Sequence, residues 1–263
     1  RAVKAGQALR DRLLLTLAAL AAWQLASLAF GVHWFSPPLA TGRRFLELTW
    51  NGELLRHAQY TLLAAAGGFL VGGVPGAVIP FALRRTPRLA AILDPYLVAG
   101  YGMPKLALAP LFILWFGIGL ASKVALVASI VFFLIFFSTA AGVRGIDLRL
   151  VAMARVAGAS EQAVARHVVW PGAVPYVFAG FKISLSYAVG AAVVGELISS
   201  NRGLGYLIQA AATDFDTTTV FAGLLALTLL IVAINELVEA AERRLLRWRP
   251  ADVQPERRLV TAA

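Results

Sequence analysis

Three ionisable residues lie in or beside long apolar stretches, where a charge is costly and usually has a function. Lys182 and Glu196 belong to one such stretch, and Asp94 stands near the start of another. On one helix Lys182 and Glu196 would lie about 21 Å apart, so they cannot pair with each other. We expect Lys182 to extend to the cytoplasmic surface, Asp94 to pair with an arginine of the 84–88 turn, and Glu196 to bind Arg202 or a neighbouring helix. For Glu196, a structural role and substrate contact both stay open.

The residue types that serve catalysis and metal binding are missing or scattered. His33, His57 and His167 lack the spacing of a metal site, and the absence of cysteine excludes disulfides and thiolate ligands. The chain has no glycine-rich phosphate loop and no serine nucleophile elbow. It therefore has no P-loop ATPase site of its own, and an enzyme with Glu196 or Asp94 as its acid is disfavoured.

The composition indicates an integral membrane protein. Of the 263 residues 59% are hydrophobic, and the mean hydropathy is +0.75, whereas soluble domains are about 45–50% apolar. Stretches almost free of charge reach the roughly 20 residues that cross a bilayer as a helix. We therefore predict an all-α polytopic membrane protein with about six transmembrane helices. The predicted spans are 13–31, 57–83, a broken span 89–119, 121–143, 172–199 and 217–240.

Two of these spans have features of their own. Span 57–83 carries Gly68, Gly72 and Gly76 at four-residue spacing, which predicts a smooth strip where another helix approaches closely. Span 89–119 is interrupted by Gly102-Met103-Pro104-Lys105. Irregular backbone at membrane depth is tolerated only within protein or beside a cavity, so residues 96–110 are expected near a pathway.

The distribution of basic residues indicates how the chain is oriented in the membrane. With a cytoplasmic N-terminus and six crossings, the cytoplasmic segments hold most of the lysines and arginines behind the net charge of +10. The segments assigned to the outer side hold only Arg43, Arg44, Arg56, Lys123 and Arg202. This asymmetry predicts that both termini are cytoplasmic, and it argues against a nucleic-acid partner.

The whole chain, 1–263, is expected to form a single transmembrane domain. Its first helix, 13–31, is interpreted as a retained span and not as a signal peptide, since no small-residue cleavage site follows it. The outer segment 32–56 is expected to contain a short amphipathic helix at 45–50, and a basic tail, 243–263, is expected to be disordered near its end.

The connector 144–171 between two apolar spans has the pattern of two short helices joined at a glycine. Asp147 is expected to cap the first helix and Gly158 to end it. Ser160 is expected to cap the second, and Pro171 precedes the next span. A basic, amphipathic element of this kind is suited to docking on something outside the membrane. We call residues 144–171 the coupling segment.

The coupling segment resembles the EAA loop of permease subunits from binding-protein-dependent ABC importers. In that pattern Gly158 takes the place of the glycine, and Val168, Trp170 and Pro171 follow at the family's spacings. Ala154 matches the second alanine, but Ala152 replaces the glutamate and Met153 the first alanine. The missing glutamate puts in doubt the salt bridge that it would make to the ATPase.

The resemblance extends over residues 57–245, the core permease region. The segments at 111–119, 158–160, 171–176, 180–184, 195–197 and 203–206 are similar to the nitrate/sulfonate/taurine-type permeases. This resemblance implies the type I importer (MetI-like) permease fold. It also implies a homodimeric pore in the bacterial inner membrane, two cytoplasmic ATPase subunits that bind ATP and Mg²⁺, and a periplasmic substrate-binding protein. The chain itself would hold no cofactor and would not be an enzyme.

The resemblance also assigns roles to residues. Residues 148–166 would be coupling helices in a groove of the ATPase. The ATPase-coupling residues would be Ala152, Met153, Ala154, Arg155, Ala157, Gly158, Ala159, Ser160 and Glu161. Polar and aromatic residues that could face the translocation pathway are Tyr60, Tyr101, Met103, Lys105, Ser184, Ser186, Tyr187 and Ser199.

The alternatives differ in what drives transport and in the solute. The subfamily resemblance indicates a sulfonate, nitrate or other organic anion, and an ABC permease for a vitamin precursor is an alternative. A secondary carrier driven by an ion gradient would commonly show internal repeats and intramembrane ionisable pairs, and the sequence shows neither clearly.

Overall fold

A computed structural model of the protein describes the backbone of residues 2–245, and every regular element in that range is a helix. The helices are α1 (Ala2–Phe30), α2 (Pro38–Trp50), α3 (Glu53–Arg84), α4 (Pro87–Gly102), α5 (Ala109–Phe116), α6 (Leu120–Arg144), α7 (Leu148–Val156), α8 (Glu161–Val164), α9 (Trp170–Ile198), α10 (Leu204–Thr213) and α11 (Thr217–Leu245). A 3₁₀ turn, Lys105–Leu108, precedes α5, and a π turn, Ala165–Val169, joins α8 to α9.

The helices include the predicted membrane spans. Five stretches are long and apolar enough to cross a membrane, and they lie in α1, α3, α6, the α8–α9 run and α11. A sixth is formed by Pro87–Gly102 and Lys105–Phe116, which are bent by 83° at the break between them. The all-α fold with about six spans is therefore confirmed, and so is the irregular third span.

Helix ends differ from the predicted span ends because an apolar stretch marks the bilayer, whereas a helix continues until its backbone is interrupted. α1 begins at Ala2 and α3 at Glu53, each before the apolar stretch that it contains. The short helix expected at 45–50 is the end of the longer α2. Of the basic tail, residues 243–245 belong to α11, and 246–263 lie outside the described residues.

The chain divides into two compact units. Of the described residues, the first comprises 2–68, 104–127 and 189–230. Within it, a buried apolar cluster joins the end of α2 and the start of α3 to α10 and α11. The buried members are Leu48, Leu54, Leu204, Leu207, Ala222 and Ala226. This cluster fixes the position of the short helix α10.

Of the described residues, the second unit comprises 69–103, 128–188 and 231–245. Here the glycine strip of α3 lies against α6. A Cβ on Gly72 would stand 2.3 Å from the Ala128 carbonyl oxygen, and one on Gly76 would stand 2.7 Å from that of Phe132. Only glycine permits this close approach of two helix backbones, as the spacing predicted.

Two ion pairs of the second unit differ from the sequence-based expectation. Asp94 pairs with Arg144 at 3.1 Å, so the prediction of an arginine at 84–88 was wrong. Arg88 lies six residues before Asp94 and therefore faces another side of α4. Lys182, expected to extend to the surface, lies 3.5 Å from Glu239 of α11.

Candidate functional site

The coupling segment contains two capped helices. The Asp147 carboxylate accepts a hydrogen bond of 2.8 Å from the Arg149 N–H and caps α7. The Ser160 hydroxyl accepts one of 3.2 Å from the Ala163 N–H and caps α8. Both caps lie where the sequence predicts them, and each satisfies an otherwise unpaired N–H of a first turn.

The turn between α7 and α8 requires a glycine. Gly158 has φ +84°, a conformation that other residues adopt only with strain. The Gly158 N–H donates to Arg155 O at 2.9 Å, and the Ala159 N–H donates to Ala154 O at 3.0 Å. These bonds close the last turn of α7 in the way that a C-terminal glycine permits.

One face of the coupling segment is anchored by packing. Val151 of α7, Val164 of α8 and Val169 of the π turn form a buried apolar cluster. Phe81 and Ile146 are among the residues packed against it. The two helices are thereby held to each other and to the end of α3.

Elsewhere on its surface, α7 exposes an apolar face that also carries Arg149. Leu148, Met153 and Val156 are exposed, and the exposed fraction of Val156 reaches 90%. Ala152 and Ala157 are exposed beside them. Large apolar side chains in a segment between two membrane spans are typical of a surface that another protein covers.

An ion pair links the two coupling helices. The Arg155 Nε lies 2.7 Å from a Glu161 carboxylate oxygen across the Gly158 turn. The hydrogen bond and the charge of Glu161 raise the pKa of Arg155, which therefore stays charged. Since both side chains are exposed, this pair contributes little to stability, but it defines a charged edge beside the apolar face.

A cavity of about 340 Å³ lies beside the coupling segment within the second unit. Leu148 and Val151 of α7 line it, together with Phe136 of α6 and the Asp94–Arg144 pair. The side of α7 that faces the membrane spans therefore borders empty space.

The second coupling helix is not separate from the span that follows. α8 continues through the π turn into α9, and Glu161–Ile198 forms one run of 38 residues. Pro171 lies inside this run, directly after the π turn, where the helical hydrogen-bond pattern already changes. The expected start of a span at Pro171 agrees with the start of α9 at Trp170, but the backbone stays helical from α8 into α9. A displacement of α8 would be passed directly to α9.

Replacing Ser160 by alanine is expected to loosen α8. The lost cap costs about 1 kcal/mol, which corresponds to roughly fivefold faster hydrogen exchange of the Ala163 and Val164 amides, which are hydrogen-bonded to Ser160. Hydrogen exchange of the purified protein measures this effect. Ser160→Asn keeps the acceptor and should exchange like the parent, and equal exchange in the alanine variant would contradict the cap.

The residues predicted for the pathway fall in both compact units. Tyr60, Lys105 and Ser199 belong to the first, and Tyr101, Met103, Ser184, Ser186 and Tyr187 belong to the second. Their assignment to a pathway stays a prediction.

Within the second unit these residues have different surroundings. Tyr101 contacts Phe137 with ring centroids 4.9 Å apart, and the Ser186 hydroxyl donates to Asn235 Oδ1 at 3.2 Å. Tyr187 is exposed, whereas Ser184 is fully buried. Ser184 therefore cannot contact a solute in this conformation.

Glu196 is the centre of a buried polar network in the first unit. One of its carboxylate oxygens accepts hydrogen bonds from the Thr61 hydroxyl at 3.0 Å and from the Gly205 N–H at 2.8 Å. Thr61 accepts from the Leu204 N–H, and His57 Nδ1 accepts from the Gly203 N–H. Side chains of α3 and α9 thus cap the N-terminus of α10, where a carboxylate is favoured. Of the two partners expected for Glu196, Arg202 or a neighbouring helix, the structure has the neighbouring helix, through Thr61 of α3.

Lys123 belongs to the same network. Its prediction as an outer-segment residue was wrong, because Lys123 lies in α6 and is fully buried. Its ammonium donates to the carbonyl oxygens of Ile118 and Ser199 and interacts electrostatically with Glu196. Buried charges require such partners. We call His57, Thr61, Lys123, Glu196 and the start of α10 the Glu196 network.

Comparison with known proteins decides the family. Residues 67–247 match the family of binding-protein-dependent transport system inner membrane components. The chain belongs to this family. It is a permease of the ABC importer type and a multi-pass membrane protein.

Curated relatives place the permease with the sulfonate and taurine group. It is 37% identical over 212 residues to a putative aliphatic sulfonates transport permease protein, SsuC, of Bacillus subtilis, covering 81% of this chain and 77% of that one. It is 31% identical to the taurine transport system permease protein TauC of Escherichia coli, covering 86% and 84% of the two chains. A riboflavin transport system permease protein, RibX, of Chloroflexus aurantiacus is 38% identical, and 81% of this chain and 79% of that one are covered.

Solved structures confirm the MetI-like fold of the permease. The MetNI methionine ABC transporter in an inward-facing conformation matches with a TM-score of 0.58 and 20% identity over 77% of this chain and 96% of that one. An amino acid ABC transporter structure matches with a TM-score of 0.61 and 16% identity, and 76% and 98% of the two chains are covered.

Sequence reasoning found Glu196 in this permease but missed the partners of Glu196. Lys123 separates the charge-free stretches 106–122 and 124–143, so a lysine at membrane depth was the available signal. Thr61 and His57 carry no local signal, because their partners lie far along the chain.

Proposed function

We propose that this permease moves a small anion of the sulfonate type into the cytoplasm by alternating access, driven by a separate ATPase on which the coupling segment docks. The observation that carries the proposal is the exposed apolar face of α7, formed by Leu148, Met153 and Val156. The family match and the SsuC and TauC relatives support the type of solute.

The geometry of the coupling segment is suited to transmitting movement from the ATPase to a membrane span. Caps at Asp147 and Ser160 and the buried Val151 cluster keep the two short helices rigid. The exposed small residues Ala152, Ala157 and Gly158 permit close approach of a partner. Because α8 is continuous with α9, movement of the docked helices would tilt a membrane span. The other proposed coupling residues are Met153, Ala154, Arg155, Ala159 and Glu161.

The departure from the family pattern at Ala152 has a structural counterpart. Where the pattern has a glutamate, Ala152 is exposed on the proposed docking face, so no acid stands there. Arg155 and Glu161 supply charge at the edge of the face. We infer that docking here depends on apolar contact more than on a central salt bridge.

The remaining parts of the proposal follow from family membership. Two copies of the permease form the pore in a bacterial inner membrane, with both termini and the coupling segment on the cytoplasmic side. Two ATPase subunits bind ATP and Mg²⁺, and a binding protein delivers the solute from the outside. The permease carries no ATPase site. In the described residues no group of three or more His, Asp or Glu side chains could hold a metal.

The pathway assignment rests on the broken third span. Tyr101, Met103 and Lys105 lie at the 83° bend, where α4 ends and the 3₁₀ turn begins. A lysine at such a bend suits an anionic solute. Tyr60, Ser184, Ser186, Tyr187 and Ser199 complete the proposed set.

A second candidate solute is a flavin-like vitamin. The riboflavin relative RibX matches the chain as well as the sulfonate relative does. Direct binding of taurine, an alkyl sulfonate and riboflavin to the binding protein that supports uptake distinguishes the two. Binding of riboflavin alone would replace the sulfonate assignment.

The test of coupling is a bulky residue at Gly158. A Cβ there meets nothing within 4 Å in this chain, so a Gly158→Trp side chain would project into the space that a docked ATPase needs. We expect ATP-driven uptake to fall at least about tenfold, which a local clash of a few kcal/mol suffices to cause. Uptake and ATP hydrolysis are measured in vesicles with the ATPase and binding protein, and membrane insertion should be unchanged.

Gly31→Trp is the matched control. Gly31 has φ +86°, and a Cβ there also meets nothing within 4 Å, so this variant carries the same backbone strain outside the coupling segment. It should keep its uptake. Normal uptake by the Gly158→Trp variant, or uptake by the parent without any ATPase, would refute the proposal and favour a secondary carrier.

A further inference from the structure

Phe215 adopts a backbone conformation that is unfavourable for its residue type. Phe215 is the one non-glycine residue of the described range that has a positive φ, +57°. It follows α10, and the Asp216 N–H donates to Ala211 O while the Phe215 N–H donates to Ala212 O. This is the hydrogen-bond pattern in which a helix ends at a left-handed residue, and glycine or asparagine normally fills that position.

Nothing in the described chain compensates for the strain at Phe215. Its side chain is 87% exposed, so the ring gains almost no burial. Glycine would close the same turn without strain and without exposing a ring to water. A costly conformation that presents a large apolar group is a feature of functional sites, where the cost is offset by contacts made elsewhere.

The neighbours of Phe215 indicate what covers it. Asp214 is exposed on one side, and Asp216 on the other is held by hydrogen bonds from the Thr219 N–H and hydroxyl. Burial raises the pKa of Asp216, but the bonds from Thr219 and the charge of Arg44 outweigh it and bring the pKa below its usual value. Asp216 is therefore ionised at neutral pH. An aromatic ring between carboxylates is unsuited to a phospholipid surface, whose phosphates repel the acids, and is complementary to an apolar pocket with a basic rim.

We propose that Phe215 is an anchor for the soluble binding protein, which receives the ring in an apolar pocket bordered by lysine or arginine. This inference rests on the proposed function. The turn 214–216 is separated from the coupling segment by one span, α9, along the chain, so it lies on the side of the membrane from which the solute is delivered. A buried aromatic residue at the centre of an interface often carries much of the binding energy.

The experiment uses the permease with its ATPase in lipid nanodiscs. The probe is the binding protein that restores ATP-driven uptake to vesicles containing both. Phe215→Gly should raise the Kd for this protein at least about tenfold, because the anchor is lost. Its thermal unfolding temperature should be equal to or above that of the parent, because the strain is relieved. A purely structural role would predict the opposite thermal shift.

Matched variants distinguish the contribution of the aromatic ring to binding from that of the turn. Phe215→Tyr keeps an aromatic group and should bind within about twofold of the parent, whereas Phe215→Asn keeps the turn and should bind like Phe215→Gly. Asp214→Lys should weaken binding and reverse its dependence on salt. An unchanged Kd in Phe215→Gly would overturn the anchor while leaving the importer function intact. If no binding protein supports uptake by the parent, the proposed function itself fails.

A second measurement tests the membrane as the alternative. The chain has no cysteine, so Ala212→Cys, at an exposed position beside the turn, carries a single fluorescent label and leaves the Phe215 ring in place. Protection of the label from an aqueous quencher when the binding protein is added supports the anchor. Quenching by spin-labelled lipid in the absence of the binding protein would overturn it.

Discussion

Replacing Gly203 by alanine is expected to destabilise the permease by at least about 3 kcal/mol. Gly203 has φ +107° and ψ 162°, a region that glycine alone adopts readily. A Cβ there would stand 2.1 Å from the Glu196 carboxyl carbon and within 2.4 Å of both carboxylate oxygens. The variant must therefore displace a buried, hydrogen-bonded carboxylate in addition to accepting backbone strain. Thermal unfolding in detergent measures the loss.

Substitutions at two other glycines separate the cost of backbone strain from the cost of the contact with Glu196. Gly52 has φ +72° and a Cβ there meets nothing within 4 Å, so Gly52→Ala shows the cost of strain alone. Gly119 has neither a positive φ nor a close neighbour, so Gly119→Ala should be nearly neutral. The loss should increase in the order Gly119, Gly52, Gly203. Equal losses for Gly52→Ala and Gly203→Ala would show that the Glu196 contact does not exist.

Local signals in the sequence predicted the coupling segment well. The caps at Asp147 and Ser160 and the left-handed Gly158 each depend on residues within a few positions. The glycine strip of α3 was predictable for the same reason, since one helix face is encoded by spacing. Six spans followed from apolar length, because a bilayer imposes a fixed thickness.

Features that depend on distant parts of the chain were not predictable from one sequence. The continuity of α8 with α9 was missed because Pro171 was interpreted as a boundary, although a proline that follows a π turn can lie inside a helical run. Asp94 was assigned to the nearest arginines, but Arg144, fifty residues away, reaches it. A strained Phe215 has no sequence signature, because a helix-ending position normally shows glycine.

The same limit of sequence-based prediction applies to the Glu196 network. The sequence placed Glu196 correctly as an unusual charge, and the interpretation of Lys123 as an outer residue separated it from Glu196. Only the packing of α6 beside α9 brings the Lys123 ammonium to the Ser199 carbonyl, 76 residues away along the chain. A buried lysine and a buried glutamate in two different spans are each improbable alone, so each is evidence for the other.

Removing either side chain of this pair is expected to cost about 1–3 kcal/mol, because buried polar groups lose a hydrogen-bond partner and the remaining ionisable group loses a nearby opposite charge. Glu196→Leu leaves the Gly205 N–H without its acceptor and the Thr61 hydroxyl without its carboxylate partner. Lys123→Met leaves the carbonyl oxygens of Ile118 and Ser199 without their donor. Unfolding of each purified variant by heat or denaturant measures the two losses.

The double variant tests whether the charges act together. If Lys123 and Glu196 stabilise each other, Lys123→Met with Glu196→Leu should lose at least about 1 kcal/mol less than the sum of the two single losses. Glu196→Gln keeps an acceptor for the Gly205 N–H and should fall between the parent and Glu196→Leu. Lys182→Met is the control for losing a lysine in a span, because Lys182 is partly exposed in its pair with Glu239 and should cost about 1 kcal/mol or less. Strictly additive losses would show that Lys123 is held by its two carbonyl partners alone, and that Glu196 serves only to cap α10.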